Sequence, residues 1–406
     1  MDGWSRRADG FAVGAAVSAE ELECDPHPVL ARLREREPVS WLPALEGWLV
    51  TRRDLAILVM GDPRTFTVDD PRFSTGQVVG PSMLTRDGAE HRRHRDPFAR
   101  PFRHGAVHAR FAELVAEETE RLIDEIEPAG AAELRRSLAG PLAVAVVTRA
   151  LGFEDADTGA VLGWYDQIVA GVTDITAGRP LDGAGRDAYA ALSAALGPAL
   201  DRDPAASLLA AAAGEAGGLE REQVISNAAV LLFGGIETTE GMIANAMWHL
   251  LSHRDQLALV DASPGVLANA LEESLRLEPA AAIVDRYATA DVQVAGASIG
   301  RGELVRVSIA AANRDPGVFA DPDRFDVRRD NARRHVAFAR GPHACIGMHL
   351  ARLEALTAIK RLLHRLPVLR LDPGSPTAPR GLVFRKPPEL RVVWTPPSPS
   401  PILRQT

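Results

Sequence analysis

The chain has 406 residues and a mass of 43.5 kDa, is 46% hydrophobic and 25% charged, and has a mean hydropathy of -0.05. That composition excludes a mainly disordered chain, and the length allows an extensive core. A net charge of -8 and a pI near 5.8 argue against whole-protein attraction to nucleic acid or anionic membranes. Two cysteines, Cys24 and Cys345, rule out a disulfide framework and point to a reducing cytoplasm. The start of the chain lacks the uninterrupted apolar core of a secretion signal and carries Glu20, Glu21 and Glu23, and no charge-free run is long enough to cross a membrane. Only Lys360 and Lys386 are lysines among 46 basic residues, an arginine bias that suggests a GC-rich bacterial source.

Residues 1–17 show no clear periodicity and are expected to be irregular. A strand is predicted at 47–51. Apolar residues at three and four spacing predict helices over 105–126 and 137–152, the second ended by Gly152. The stretch 224–253 is apolar on nearly every face and predicts a helix crossing the core, about 45 Å long at 1.5 Å per residue. A further helix over 265–277 should stop at Glu278-Pro279, because proline disfavours helix in the residue before it. Short strands are predicted at 292–294, 304–309 and 390–394, and a helix at 348–363. The tail 396–406 is proline-rich and expected to be loose. With no linker or repeat inside, 18–395 reads as one domain, mainly α with small β-sheets.

Three segments carry chemistry. In Phe338-Ala-Arg-Gly341-Pro-His343-Ala-Cys345-Ile-Gly347, a cysteine stands just before a helix, where oriented N–H groups are expected to lower its pKa and favour a thiolate. Gly341 and Gly347 would let the backbone approach a flat cofactor. A lone cysteine here is open to three readings: a buried thiol, a metal ligand, or a zinc ligand with only His335, His343 and His349 near in sequence. Gly234-Gly235-Ile236-Glu237-Thr238-Thr239 places two glycines and an acid–alcohol pair inside the long apolar helix. That departure from helix propensity marks either a functional site or a packing notch with a threonine bonded back to its own helix. His91-Arg-Arg-His-Arg95 is a basic helical segment. Glu273-Ser-Leu-Arg276 is an acid–base pair, although Glu90/Arg93, Glu118/Arg121 and Glu133/Arg136 share its spacing.

Taken together and in this order, the segments resemble the cytochrome P-450 family. Phe338, Gly341, Cys345 and Gly347 match its haem-binding signature; Ala339 departs from the glycine often found there. Glu273 and Arg276 match the E-x-x-R pair, and Asp321-Pro-Asp-Arg324-Phe325 resembles the segment supplying a second arginine. Glu237 and Thr238 match the acid–alcohol pair of the long helix. The resemblance runs from Asp25 to about Trp394.

The resemblance implies a triangular helical prism enclosing haem b, with Cys345 as the iron ligand. It places Phe338, Gly341 and Gly347 around the ligand loop, and His91, Arg95, Arg286 and His343 at the haem propionates, whose buried charge needs directed donors. It implies a monooxygenase using O2 as cosubstrate, with Glu237 and Thr238 governing protons at the distal oxygen, and Thr239, about 100° round the helix, facing elsewhere. Electrons would come ultimately from NAD(P)H through a separate ferredoxin and ferredoxin reductase, steered by Arg92, Arg93, Arg100, Arg103, Arg333, Arg334, Arg340 and Arg352. Val230, Phe233, Gly234, Ala282, Ile283 and Val383 are expected to wall a site for a mainly apolar small molecule, with the loops 66–84 and 164–175 beside them. Natural-product biosynthesis is a plausible setting. A peroxide-driven or oxidative-coupling enzyme, or a non-catalytic haem sensor, are the alternatives; the intact Glu237-Thr238 pair favours O2 activation.

Overall fold

The structure, a computed structural model, describes residues 10–153, 157–176, 179–180, 183–202, 208–214, 218–375 and 377–396. Its axis is the helix Arg221–Ser252, which begins on a capping box between Glu220 and Gln223 and buries residues on every face. A helix apolar all round can only sit inside a shell of others. Among those packed on it are Gly140–Leu151, Leu267–Leu277 and Met348–Arg365. His104–Ile126 lies one layer out, with its apolar stripe against Met348–Arg365 and Gly140–Leu151.

The helix Gly140–Leu151 ends where expected, on Gly152 at φ 74°, the left-handed cap that glycine supplies at little cost. Its start differs from the sequence reading. Residues Arg135–Ala139 form a π-helical turn ahead of it, which swings the buried Arg135 side chain toward Glu240 of the long helix at 2.7 Å. The helix over Leu267–Leu277 closes at Glu278, before Pro279.

The strands form three small sheets. The main sheet has five strands in the order Val39–Leu42, Gly47–Val50, Leu304–Ser308, Ile283–Ala288 and Phe66–Thr67. Gly47–Val50 pairs in parallel with Leu304–Ser308, and the other neighbours are antiparallel. Val292–Val294 pairs with Ala297–Ile299, and Arg391–Val393 sits between Ala131–Glu133 and Arg370–Leu371. The sequence reading missed Val39–Leu42 and Ile283–Ala288; their burial on both faces removes the alternation that marks a strand. Residues 12–15, expected to be irregular, form a helical turn whose Val13 and Gly14 N–H groups donate to Glu37. The expected loose tail lies outside the described residues beyond Pro396. Among the described residues, no helix is long and apolar enough to cross a membrane.

Candidate active site

Cys345 ends a loop and immediately precedes the helix Met348–Arg365. Its own N–H donates to the Phe338 carbonyl at 2.9 Å, so the loop closes on itself and fixes the sulfur. Gly341 takes φ +76°, and a side chain there would run into the Met60 carbonyl. Its glycine is thus demanded by a neighbouring helix and not by the cavity, contrary to the expectation from sequence. Gly347 lines the cavity, and a Cβ there would meet no atom within 4 Å. Ala339 adopts φ 57°, the left-handed turn that a glycine would accept more easily.

The thiol is not held as expected either. Burial pushes the Cys345 pKa up, and this outweighs the opposing pull of the Gly347 and Met348 N–H groups and of Arg95 and Arg352. The helix end therefore moderates the penalty of burying a thiolate but does not cancel it; a bound cation is needed to do so. Among the described residues no group of three His, Cys, Asp or Glu side chains is placed to hold a metal, which leaves the zinc reading without ligands.

Above Cys345 lies a cavity of about 260 Å³. Its floor is Phe338, Ala339, His343 to Gly347 and Leu350, and its roof is Val230, Phe233, Gly234, Gly235, Thr238 and Thr239 of the long helix. The Thr238 hydroxyl donates back to the Gly234 carbonyl at 2.6 Å. Thr239 also lines the cavity, so it is not turned away as the simple helical angle suggests. Gly235 has Val147 behind it, close enough that an added Cβ would sit 3.1 Å from that side chain. The notch at 234–235 therefore serves packing on one residue and cavity space on the other.

Glu237, about 100° round the helix from Thr238, lines a second, outer cavity of about 890 Å³. It pairs with Lys386 at 2.8 Å. Burial raises its pKa, and Lys386 works against that rise. Sequence placed Ala282 and Ile283 in the wall of the cysteine cavity. Both instead pack with Leu30, Leu42 and Leu49, and the wall is made by Ala281 and Val284. Regular alternation does not extend over these four residues: Ala281 lies ahead of the strand Ile283–Ala288, on an isolated bridge to Phe384. Val383, with Leu382 and Phe384, lines the outer cavity. Phe384 meets Phe233 edge to face at 5.5 Å, so an aromatic pair stands between the two spaces.

At one edge of the cysteine cavity basic groups converge. Arg95 lines it and donates to the Ala344 carbonyl at 2.6 Å. His343 lines it too, bonded to Asp87 at 2.8 Å, with the His91 ring 4.3 Å away. Burial alone would raise the Asp87 carboxyl, but bonds from His343, Thr67 and the Val68 N–H bring it down to about 2. His91 is buried with Nε2 unpartnered, and burial beside His343 and Arg95 lowers its pKa to about 4. Arg286 is buried behind them, donating to the Asp285 carbonyl. An orphaned imidazole nitrogen beside half-buried Arg95 and buried Arg286 fits an anionic group, and an apolar cavity floored by a cysteine sulfur fits an iron porphyrin.

Two neighbours of the loop differ from, or were absent in, the sequence reading. Glu273 is fully buried and bonded to Arg276 at 2.7 Å, but its second arginine is Arg329 at 2.8 Å, not Arg324. The Arg324 side chain is exposed, and only its carbonyl joins the network, accepting from Arg276 and Arg329. Glu354, unforeseen, lines the cavity with Oε2 unpartnered, and burial holds its carboxyl well above the usual range. Its signal was the helical run Gly347, Leu350, Ala351, Glu354 from the loop.

Comparison with known proteins agrees with this geometry. The family description "cytochrome P-450" matches residues 265–393. The chain is 35% identical to cytochrome P-450 monooxygenase PikC of Streptomyces venezuelae, over 92% of this chain and 90% of that one. It is 34% identical to nocardicin C N-oxygenase of Nocardia uniformis subsp. tsuyamanensis, over 92% and 97%. The structure of HmtN, a post-tailoring hydroxylase involved in himastatin biosynthesis, superposes with a TM-score of 0.80 at 30% identity, covering 93% of this chain and 100% of that one. With a cysteine-floored cavity under a long helix and full-length relatives of this kind, the chain belongs to the cytochrome P-450 family and is a haem-dependent monooxygenase acting with O2.

Proposed function

We propose that residues 18–395 form a single haem domain that oxygenates a natural product, in which Cys345 would be the iron ligand. The carrying observation is the cavity floored by Cys345 and roofed by Gly234 and Thr238. Bound haem supplies the activation of O2 and the oxidising power that places oxygen on the substrate. The residues of the chain do the rest. Arg95, His343 and His91, with Arg286 behind, would hold the two carboxylates of the porphyrin edge. Phe338 and Gly347 shape the loop around the sulfur. Thr238, bonded to Gly234, presents a hydroxyl to the cavity, and Glu237 supplies an ionisable group about 100° round the same turn.

Substrate would lie against Val230, Phe233, Gly234, Ala281 and Val284, an apolar wall. The outer cavity adds Glu46, Asp285, Arg306 and Arg72, so a substrate with an apolar end over the cysteine and a polar end outside suits both spaces.

Electrons would come from NAD(P)H through a ferredoxin and its reductase in the cytoplasm. On the cysteine side, Arg92, Arg100, Arg103, Arg333, Arg334 and Arg340 are exposed, whereas Arg93 is tied to Glu90 and Arg352 to Glu272. The exposed six would steer an acidic partner, and reduction should slow with salt. The test of function is Thr238→Ala: haem content and substrate affinity should hold while product per NAD(P)H falls and peroxide rises. Full coupling in that variant would leave Thr238 a helix-packing residue.

A further inference from the structure

The strands Ile283–Ala288 and Leu304–Ser308 pair antiparallel, with Asp285 opposite Arg306 and Tyr287 opposite Leu304. Alternation puts these four side chains on one face, and all four line the outer cavity, whereas the neighbouring Val284 lines the cysteine cavity. Two charged groups on that face lack hydrogen bonds. The Arg306 side chain is only 5% exposed, yet it makes a single hydrogen bond, from Nη2 to the Thr176 carbonyl at 3.0 Å, and its Nε has no partner. The Asp285 carboxylate stands 3.5 Å from that Nε without the alignment of a hydrogen bond, and it accepts none from the described residues. The Tyr287 hydroxyl is also unbonded among the described residues, and burial raises its pKa, which keeps it a donor.

The other charges along this cavity are engaged or lie in solvent. Arg72 is held by Asp70 and the Gly302 carbonyl, Arg179 by Asp174 and Glu237 by Lys386, while Glu303 accepts from the Trp48 indole and the Gly300 N–H. Glu23 and Glu46 are exposed. A buried guanidinium with a single bond, beside a carboxylate with none, costs free energy that a ligand can recover. A lone carboxylate would gain Arg306 and oppose Asp285; a lone ammonium would do the reverse. A head that carries both charges on adjacent atoms satisfies the pair with a charge-assisted bond at each end.

We propose that Asp285 and Arg306 are the specificity site for the polar end of the substrate, and that this end is an α-amino acid head: its ammonium donates to Asp285, and its carboxylate accepts from Arg306 and the Tyr287 hydroxyl. The inference rests on the reading above, in which the apolar end of the same molecule lies over Cys345. The face of Asp285 and Arg306 and the adjacent Val284 look into the two cavities, so one molecule can be held at its head and oxidised at its tail.

The test is calorimetric titration of the haem-loaded protein with three probes: α-aminodecanoic acid, decanoic acid, which lacks the amine, and the methyl ester of α-aminodecanoic acid, which lacks the carboxylate. Native protein should bind the amino acid about ten- to a hundredfold more tightly than either of the others. Arg306→Met should remove the advantage over the ester, and Asp285→Asn the advantage over decanoic acid. Tyr287→Phe should weaken binding of the amino acid severalfold and leave the ester unchanged. Haem content reports whether each variant folds. No binding or equal affinity for the three probes in native protein, or an advantage that survives in whichever of Arg306→Met and Asp285→Asn retains haem, overturns the proposal. Failure of the oxygenation reading would show separately, as a native protein without the red-shifted CO band, because the probe preference is measured without turnover.

Discussion

Replacing Arg329 by methionine should destabilise the protein far more than the same change at Arg324. Glu273 is fully buried, and its carboxylate accepts from Arg276 through both Nε at 2.7 Å and Nη2 at 2.9 Å, from Arg329 Nε at 2.8 Å, and from the Asp326 N–H at 3.1 Å. The Arg329 guanidinium also donates to the carbonyls of Ala320, Asp321 and Arg324. Loss of one buried charge-assisted bond costs about 1.5–3 kcal/mol, and the three carbonyl contacts, nearer solvent, add about 1 kcal/mol in all. The carboxylate keeps Arg276 and the Asp326 N–H, so the penalty stays below the 3–5 kcal/mol or so of a fully stranded charge. A loss of about 3 kcal/mol follows for Arg329→Met, and less than about 0.5 kcal/mol for Arg324→Met, which leaves its carbonyl in place. Urea unfolding followed by circular dichroism should therefore show the Arg329→Met midpoint lower by roughly 1 M, with Arg324→Met near native. Equal shifts in the two variants, or none in Arg329→Met, would refute the assignment of Arg329.

Two further outcomes follow from the geometry. Ala339→Gly should stabilise the fold by up to about 1 kcal/mol, since the turn at φ 57° strains alanine; calorimetry showing a clear loss would mean the Ala339 methyl matters more than the backbone. His249 is stacked on Phe325 and bonded to Ser274, and burial lowers its pKa to about 3, so it stays neutral when folded while the unfolded imidazole takes up a proton near 6.5. Between pH 6.5 and 3 the unfolded chain then binds the extra proton, and stability falls as pH falls, by at most about 1.4 kcal/mol per unit. His249→Gln should flatten that slope between pH 6.5 and 4.5; an identical slope in both proteins would show that His249 is charged in the fold.

The parts of the fold and site that could be read from sequence are those fixed by local pattern. The long helix shows as an unbroken apolar run, Gly152 as a helix stop, and the cysteine loop as four spaced residues before a helix. What escaped depends on register or on distant partners. Arg329 and Arg324 lie five places apart in a segment without periodicity, and only the folded meander decides which guanidinium reaches Glu273. Ala281 and Val284 face the cavity where Ala282 and Ile283 were expected, because the chain enters the strand Ile283–Ala288 from an isolated bridge between Ala281 and Phe384, a contact with a distant segment. The Glu237–Lys386 pair joins the long helix to the C-terminal turn, and nothing near either residue announces the other. The Cys345 thiol went the wrong way in the sequence reading because the helix end was visible and the burial was not.

The central claim is that Cys345 is the sulfur bound to iron. The direct measurement is the visible spectrum of the reduced, CO-bound protein, native against Cys345→Ala and Cys24→Ala. Native protein and Cys24→Ala, whose sulfur lies by Arg380 far from the cavity floor, should both give the strongly red-shifted band of thiolate ligation, and Cys345→Ala should lose it. A shifted band that survives in Cys345→Ala, or disappears in a folded Cys24→Ala protein, would contradict the account.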